Sequence, residues 1–309
     1  MPFRTEHRFK AMGGPCTVFM DSHTPLQTSV LLGLEAEIGR LEQKYSRYRT
    51  DSLLSTINAA AGQPAPIAID PETAGLCAYL DELYQQSQGR FDATSGILRR
   101  AWDFRSGTVP AAGAIEALLP LIDWPSVEWD DHGIRLPRPG MELDLGGLVK
   151  EYAVDCGIRY LAEQGVQHAL LDMAGDLAAL GPQGDGLPWS VAITHPRSPG
   201  SSCATLPMTN LRLASSGDYE RCMIIDGVRY SHHLNPTTGL PVRGLIAASV
   251  QGEQCMVAGS VATVAMLAPD RESALTWLRE SGLPWCAVDS ELQVHGPLGT
   301  PDARASAGK

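Results

Sequence analysis

Residues 142–175, ELDLGGLVKEYAVDCGIRYLAEQGVQHALLDMAG, decide how this chain folds. A strand-like ELDL enters Gly146 and Gly147 and passes straight into a helical pattern. Tyr152, Cys156 and Tyr160 then recur four apart, and the pattern stops at Gly165. HALLDMAG follows as a strand, apolar and bounded by glycine.

Working outward, the same signals predict strands in 16–22 (CTVFMDS), 127–136 (VEWDDHGIRL), 188–195 (PWSVAITH), 223–231 (MIIDGVRYS), 245–252 (LIAASVQG) and 285–294 (WCAVDSELQV). DDHG and DGVRY read as hairpin turns. Helical periodicity runs from Ser29 to about Lys44, with Leu31, Leu34, Ile38 and Leu41 on one face, then from Met256 to Leu267 and over ESALTWLRES. Strands and helices mix without strict βαβ alternation, so the expected class is α+β rather than a doubly wound sheet.

The 309 residues, 44% of them hydrophobic, suffice for a large core. No run of 18 apolar residues occurs, and MPFRTEHRFK shows neither an apolar leader nor a lipidated cysteine. A cytoplasmic protein with no membrane partner is expected. The seven cysteines are widely spaced without a CxxC, so they are expected as reduced core residues. A net charge of −11 argues against nucleic acid as a partner but leaves room for a small anionic ligand held by backbone donors and local cations.

Four stretches could carry chemistry. In 144–155, DLGGLVKEYAVD, glycines precede a helix, which serves a tight turn or a close backbone approach to phosphate, with Lys150 as a solvated charge or a phosphate partner. The spacing is neither a Walker A loop nor a dinucleotide fingerprint. In 214–242, ASSGDYERCMIIDGVRYSHHLNPTTGLPV, a strand-turn-strand unit delivers His232 and His233 to an Asn-Pro-Thr-Thr-Gly turn. Strand alternation sends one ring inward and one outward, and the inward ring could serve as a general base. GRFDATSGILRRAWDF, 89–104, reads as a capped start leading into an aromatic helix. YSRYRTDSLLSTIN, 45–58, sets Tyr45 and Tyr48 beside Arg47 and Arg49, suited to stacking a planar ring or to a helix end.

Taken in order, KAMGGPCTV, YSRYRTDSLLSTIN, GRFDATSGIL with AWDF, DLGGLVKEYAVD, LLDMAGDLAALG, ASSGDYER, YSHHLNPTTGLPV and AGSVATVAML resemble the FAD:protein FMN transferases, the ApbE-like flavin transferases. The resemblance implies one compact α+β domain, T-fold-related, with mixed sheets and flanking helices, over residues 1–298, followed by a disordered tail, 299–309. It also implies an enzyme that uses FAD as substrate and magnesium to move FMN onto a threonine or serine of an acceptor flavoprotein, with release of AMP.

By position, the resemblance places Met12, Tyr48, Arg90, Phe91, Asp92, Gly146, Lys150, Tyr152, Ser216, Gly217, Asp218, His233 and Leu234 at the nucleotide. It makes His232 the base and puts the Val149 carbonyl and Thr263 on the metal. Three departures stand out. The family's metal helix carries an aspartate four residues before its threonine, where this chain has Gly259; Asn235 replaces the aspartate of the histidine turn; Glu151 stands where a small residue is usual. Without a carboxylate at 259, Asp218, Glu151 or Glu253 could stand in. Alternatively the metal could be held mainly by the substrate's own pyrophosphate. The rival readings are an FAD-binding or assembly protein that lost turnover and a metal-dependent FAD pyrophosphatase.

Overall fold

The computed structural model describes residues 3–23, 27–198, 200–219 and 221–299. The tail beyond 299 lies outside the described residues. In chain order the elements are β1 (Phe3–Ala11), β2 (Gly14–Ser22), α1 (Thr28–Tyr45), α2 (Leu53–Ala59), β3 (Ile67–Ala68), α3 (Pro71–Gln86), α4 (Ala112–Glu116), β4 (Glu128–Trp129), β5 (Gly133–Arg135) and α5 (Val149–Glu163). They continue as β6 (Ala169–Met173), β7 (Asp176–Leu180), β8 (Trp189–Thr194), β9 (Ser202–Met208), β10 (Arg212–Gly217), β11 (Cys222–Ile225), β12 (Val228–Ser231), β13 (Ala247–Gly252), α6 (Cys255–Met266), α7 (Arg271–Glu280), β14 (Trp285–Val288) and β15 (Val294–His295).

An eight-stranded antiparallel sheet in the order β1-β2-β6-β7-β10-β13-β14-β15 is the spine. Its inner strands are apolar on both faces because both are covered. Leu171, Ala178, Ala214, Ala248 and Ala287 point into the main core with Leu34 and Ile38 of α1, Val154 and Ile158 of α5, and Ala258 and Ala262 of α6. Their chain neighbours Leu170, Ala179, Leu213, Ala247 and Cys286 point the other way, onto Trp189, Val191 and Leu206 of the β8–β9 hairpin. Period-two alternation thus divides one run of letters between two cores.

Helix α6 is buried along most of its length, which is why its sequence is apolar all round. No side chain of its own caps its start. Asp155 of α5 accepts from the Cys255 and Met256 N–H groups at 2.9 Å each, fixing α6 against α5. A third small core, Leu98, Trp102, Ile115 and Met223, seats the β11–β12 hairpin, and the Trp102 indole donates to the Gly239 carbonyl at 2.7 Å.

The expected helices are present within a residue or two, and both hairpin turns form. Asp226 and Gly227 have φ of 51° and 76°, the left-handed pair a two-residue hairpin needs. Three readings are corrected. ELDL is irregular rather than a strand, since its backbone serves the loop around Asn58 and Ala93. The stretch after DATSG is a short 3-10 turn, Ser95–Arg100, without an aromatic helix. Residues 3–11 form an edge strand that the charge count concealed: Arg4, Glu6, Arg8 and Lys10 face outward, alternating with Thr5, His7, Phe9 and Ala11. All seven cysteines are free thiols, all but Cys222 buried. No helix among the described residues is long and apolar enough to cross a membrane.

Candidate functional site

The loop before α5 gathers three distant stretches at one residue. Asp144 pairs with the Arg47 guanidinium, its Oδ1 accepts from Gly146 N at 2.9 Å, and its own N–H donates to the Ala93 carbonyl at 2.8 Å. Tyr48, 74% exposed, presents an open ring at this rim. The Arg47 guanidinium lies 5.1 Å from its centroid and donates to its hydroxyl at 3.0 Å. Against the cost of burial, the Arg47 hydrogen bond and charge, and then the Arg221 charge, lower the Tyr48 pKa. Met12 heads the β1–β2 turn at φ 54°.

The RFD segment serves architecture. Asp92 is buried, with Oδ1 accepting from Thr94 N at 2.7 Å and from its hydroxyl, and Oδ2 accepting from Trp124 N at 3.2 Å. Arg90 donates to the Ser87 carbonyl at 2.9 Å and lies over Trp277, and Phe91 packs beneath Gly147. These contacts shape the loop on which Arg90, Phe91 and Asp92 sit. The Tyr152 hydroxyl donates to Glu72 at 3.2 Å, at the edge of the ion network between α1 and α3.

The paired imidazoles stand 4.2 Å apart. His233 is buried with Nδ1 lacking a hydrogen-bond partner, and burial holds its pKa well below the ordinary range. His232 is half-buried. Its N–H and Nδ1 both meet the Arg221 carbonyl, at 3.0 and 3.1 Å. A carbonyl only accepts, so Nδ1 carries the proton and the Nε2 lone pair is free. Burial lowers the His232 pKa, so the ring is neutral near pH 7 and competent to take a proton. Leu234 bridges to Pro241, and the Asn235 side-chain oxygen accepts from Thr237 N and Thr238 N at 2.8 and 3.0 Å. This turn needs only an acceptor, so an amide serves it as a carboxylate would.

Beyond the histidines lies a polar cradle. Asp218 is buried. Its Oδ2 accepts from Arg197 at 2.6 Å, while Oδ1 has no hydrogen-bond partner. Gly217 precedes it, with the Tyr219 ring packed where a Cβ would stand. The Ser216 and Thr263 hydroxyls are 3.0 Å apart, joining β10 to α6. Val149 opens α5, and Lys150 reaches Asp176 at 2.8 Å, whose other oxygen accepts from Ser215 N at 3.0 Å.

Glu151 is 6% exposed, and its Oε2 has no hydrogen-bond partner. Burial first, then the Asp176 charge, push its pKa up to about 8. Opposite it is Gly259, where a Cβ would stand 2.5 Å from Glu151 Cγ. The Glu151 side chain therefore fills the volume a side chain at 259 would need. Glu253 is exposed ahead of α6 and lines a different cleft with Val257 and Leu283. Asp176 was not singled out from the sequence. A lone acid at the head of the apolar DLAAL strand was the available signal, since a buried charge needs a reason.

Comparison with known proteins points to one family. The chain is 30% identical over 244 residues, 76% of its length, to the FAD:protein FMN transferase of Vibrio cholerae, covering 73% of that protein. It is 31% identical over 251 residues to the one of Treponema pallidum, covering 74% of this chain and 69% of that one. The solved flavinyl transferase ApbE of Pseudomonas stutzeri, apo form, superposes with a TM-score of 0.85 at 28% identity, over 97% of this chain and 98% of that one. The ApbE family matches residues 12–286, a span that takes in the hairpin turn, both histidines and the α5–α6 cradle, and the chain belongs to that family.

Proposed function

We infer that this protein is an FAD:protein FMN transferase. The observation that carries the reading is the fixed tautomer of His232, a neutral imidazole with Nε2 free. In the transfer, the acceptor's threonine or serine oxygen attacks the phosphorus on the riboflavin side of the FAD pyrophosphate. The bond to the bridging oxygen breaks, AMP leaves, and the hydroxyl proton passes to His232 Nε2. A hydroxyl is a weak nucleophile at neutral pH, and a positioned base contributes about 10²- to 10⁴-fold.

Tyr48 offers a stacking face for a planar ring. Gly146, Ser216 and Gly217 edge the pocket with backbone or small side chains, and Lys150 and Arg197 supply positive charge near the phosphates. The unpartnered oxygens of Glu151 and Asp218 fit a site for a hard cation, with the Thr263 hydroxyl and the Val149 carbonyl as neutral oxygen donors. Magnesium, when bound, neutralises charge developing on the pyrophosphate. The partner is an acceptor flavoprotein, with neither nucleic acid nor membrane required. Seven free thiols suit a reducing compartment, the cytoplasm.

Purified protein incubated with FAD, magnesium and candidate acceptors is expected to add the mass of FMN to one acceptor hydroxyl, with AMP as co-product by chromatography. Free FMN and AMP with an unmodified acceptor would show a pyrophosphatase instead. FAD bound but unconsumed would show a binding protein.

A further inference from the structure

We propose that Glu151 is the anionic ligand of a divalent cation held between α5 and α6, in the volume that a side chain at position 259 would otherwise fill. The inference deepens the transfer reading and rests on it for the cation's task. Glu151 is buried with an unpartnered Oε2, and a Cβ at 259 would stand 2.5 Å from its Cγ and 3.2 Å from its carboxyl carbon. A side chain at 259 and the present Glu151 conformation are therefore mutually exclusive.

Charge points the same way. Glu151 and Asp176 are both buried carboxyls, and Lys150 pairs with Asp176 at 2.8 Å. Glu151 lies in the first turn of α5, where the helix dipole favours an acid. That contribution is small beside the cost of burying an unpaired carboxylate. A buried carboxyl with an unanswered oxygen calls for a partner, and a metal is one. Thr263 lies one helical turn beyond Gly259, with its hydroxyl already turned to Ser216. A carboxylate and a neutral hydroxyl oxygen are donors a hard cation takes.

The test uses the full chain and Mn²⁺ as probe, with free Mn²⁺ followed by electron paramagnetic resonance and folding by circular dichroism. The wild type is expected to bind Mn²⁺. Glu151→Gln, isosteric and uncharged, should weaken that binding at least tenfold while keeping the fold. Gly259→Asp alone should not tighten it, because the new side chain collides with Glu151. The double variant Glu151→Gly with Gly259→Asp should restore wild-type affinity to within about threefold, the sign of two positions sharing one volume.

The proposal falls if Glu151→Gln binds Mn²⁺ like the wild type, if the wild type binds none, if Gly259→Asp alone raises affinity, or if the double variant is no better than Glu151→Gln. The transfer reading fails separately. FMN transfer that is indifferent to Glu151→Gln removes the inference and leaves the reading, whereas Mn²⁺ binding through Glu151 without any FMN transfer does the reverse.

Discussion

Two acidic clusters flank helix α5, and they are built on opposite principles. Between α1 and α3 the Glu72 carboxylate accepts two hydrogen bonds from Arg40, at 2.7 and 2.8 Å, one from Lys44 at 2.7 Å and one from Tyr152. Asp70 takes the other side of Lys44 and caps α3 through Thr73 N. Arg40 first, then Lys44, hold Glu72 down at about 2, and Lys44 and Thr73 hold Asp70 at about 2 against the cost of burial. Between α5 and α6 the balance is reversed: Glu151 keeps an unpartnered oxygen and is pushed up by burial and by Asp176. A carboxylate whose every oxygen is answered within the fold is architecture, and one left unanswered in the interior marks a place for a ligand.

The sharpest way to break this contrast is to mutate across it. His232→Ala, which removes the free Nε2, is expected to lower the FMN-transfer rate by about 10²- to 10⁴-fold while FAD still binds, as read by single-turnover kinetics and flavin fluorescence. Glu151→Gln should lower transfer by about 10²-fold, roughly 3 kcal/mol, with no loss of melting temperature in metal-free protein. Glu72→Gln is the counterpart. Transfer should be unchanged within about twofold, while stability falls by about 1 to 2 kcal/mol in urea titration, an amount limited by water at the outer edge of the cluster.

The two clusters also answer pH with opposite signs. The folded-state pKa of Glu72 is depressed, so its stabilisation is present above about pH 4.5 and is lost as pH falls toward 2. For Glu151 the folded-state pKa is raised, so the metal-free protein loses stability as pH climbs from about 4.5 toward 8. Melting curves of the two glutamine variants should each flatten one limb of the wild-type profile, and loss of the same limb in both would end the distinction. The smallest effect is expected at the exposed rim. Tyr48→Ala should raise KM for FAD by about 5- to 10-fold, near 1 kcal/mol of stacking, with kcat held.

Much of the site was legible because its signals are local. The glycine pair leading into α5, the two histidines before Asn-Pro-Thr-Thr-Gly and the hydroxyl of Thr263 are each written within a few residues. Edge strand β1 was legible in principle from its alternation, but four charges in eight residues masked it. The partners of Tyr152 and Asp92 within the fold, Glu72 and Trp124, were not legible, because they lie far along the chain and are set by packing.

By itself the sequence determined helices α1, α5, α6 and α7, several strands with their two hairpin turns, and the family, since periodicity, turn residues and ordered motifs are properties of neighbours along the chain. It also showed that position 259 lacks a side chain and that position 151 carries an unexpected acid. Only the tertiary structure decided that these are one feature. Asp155 fixes the start of α6 against α5, close packing leaves a single volume between the helices, and Glu151 occupies it.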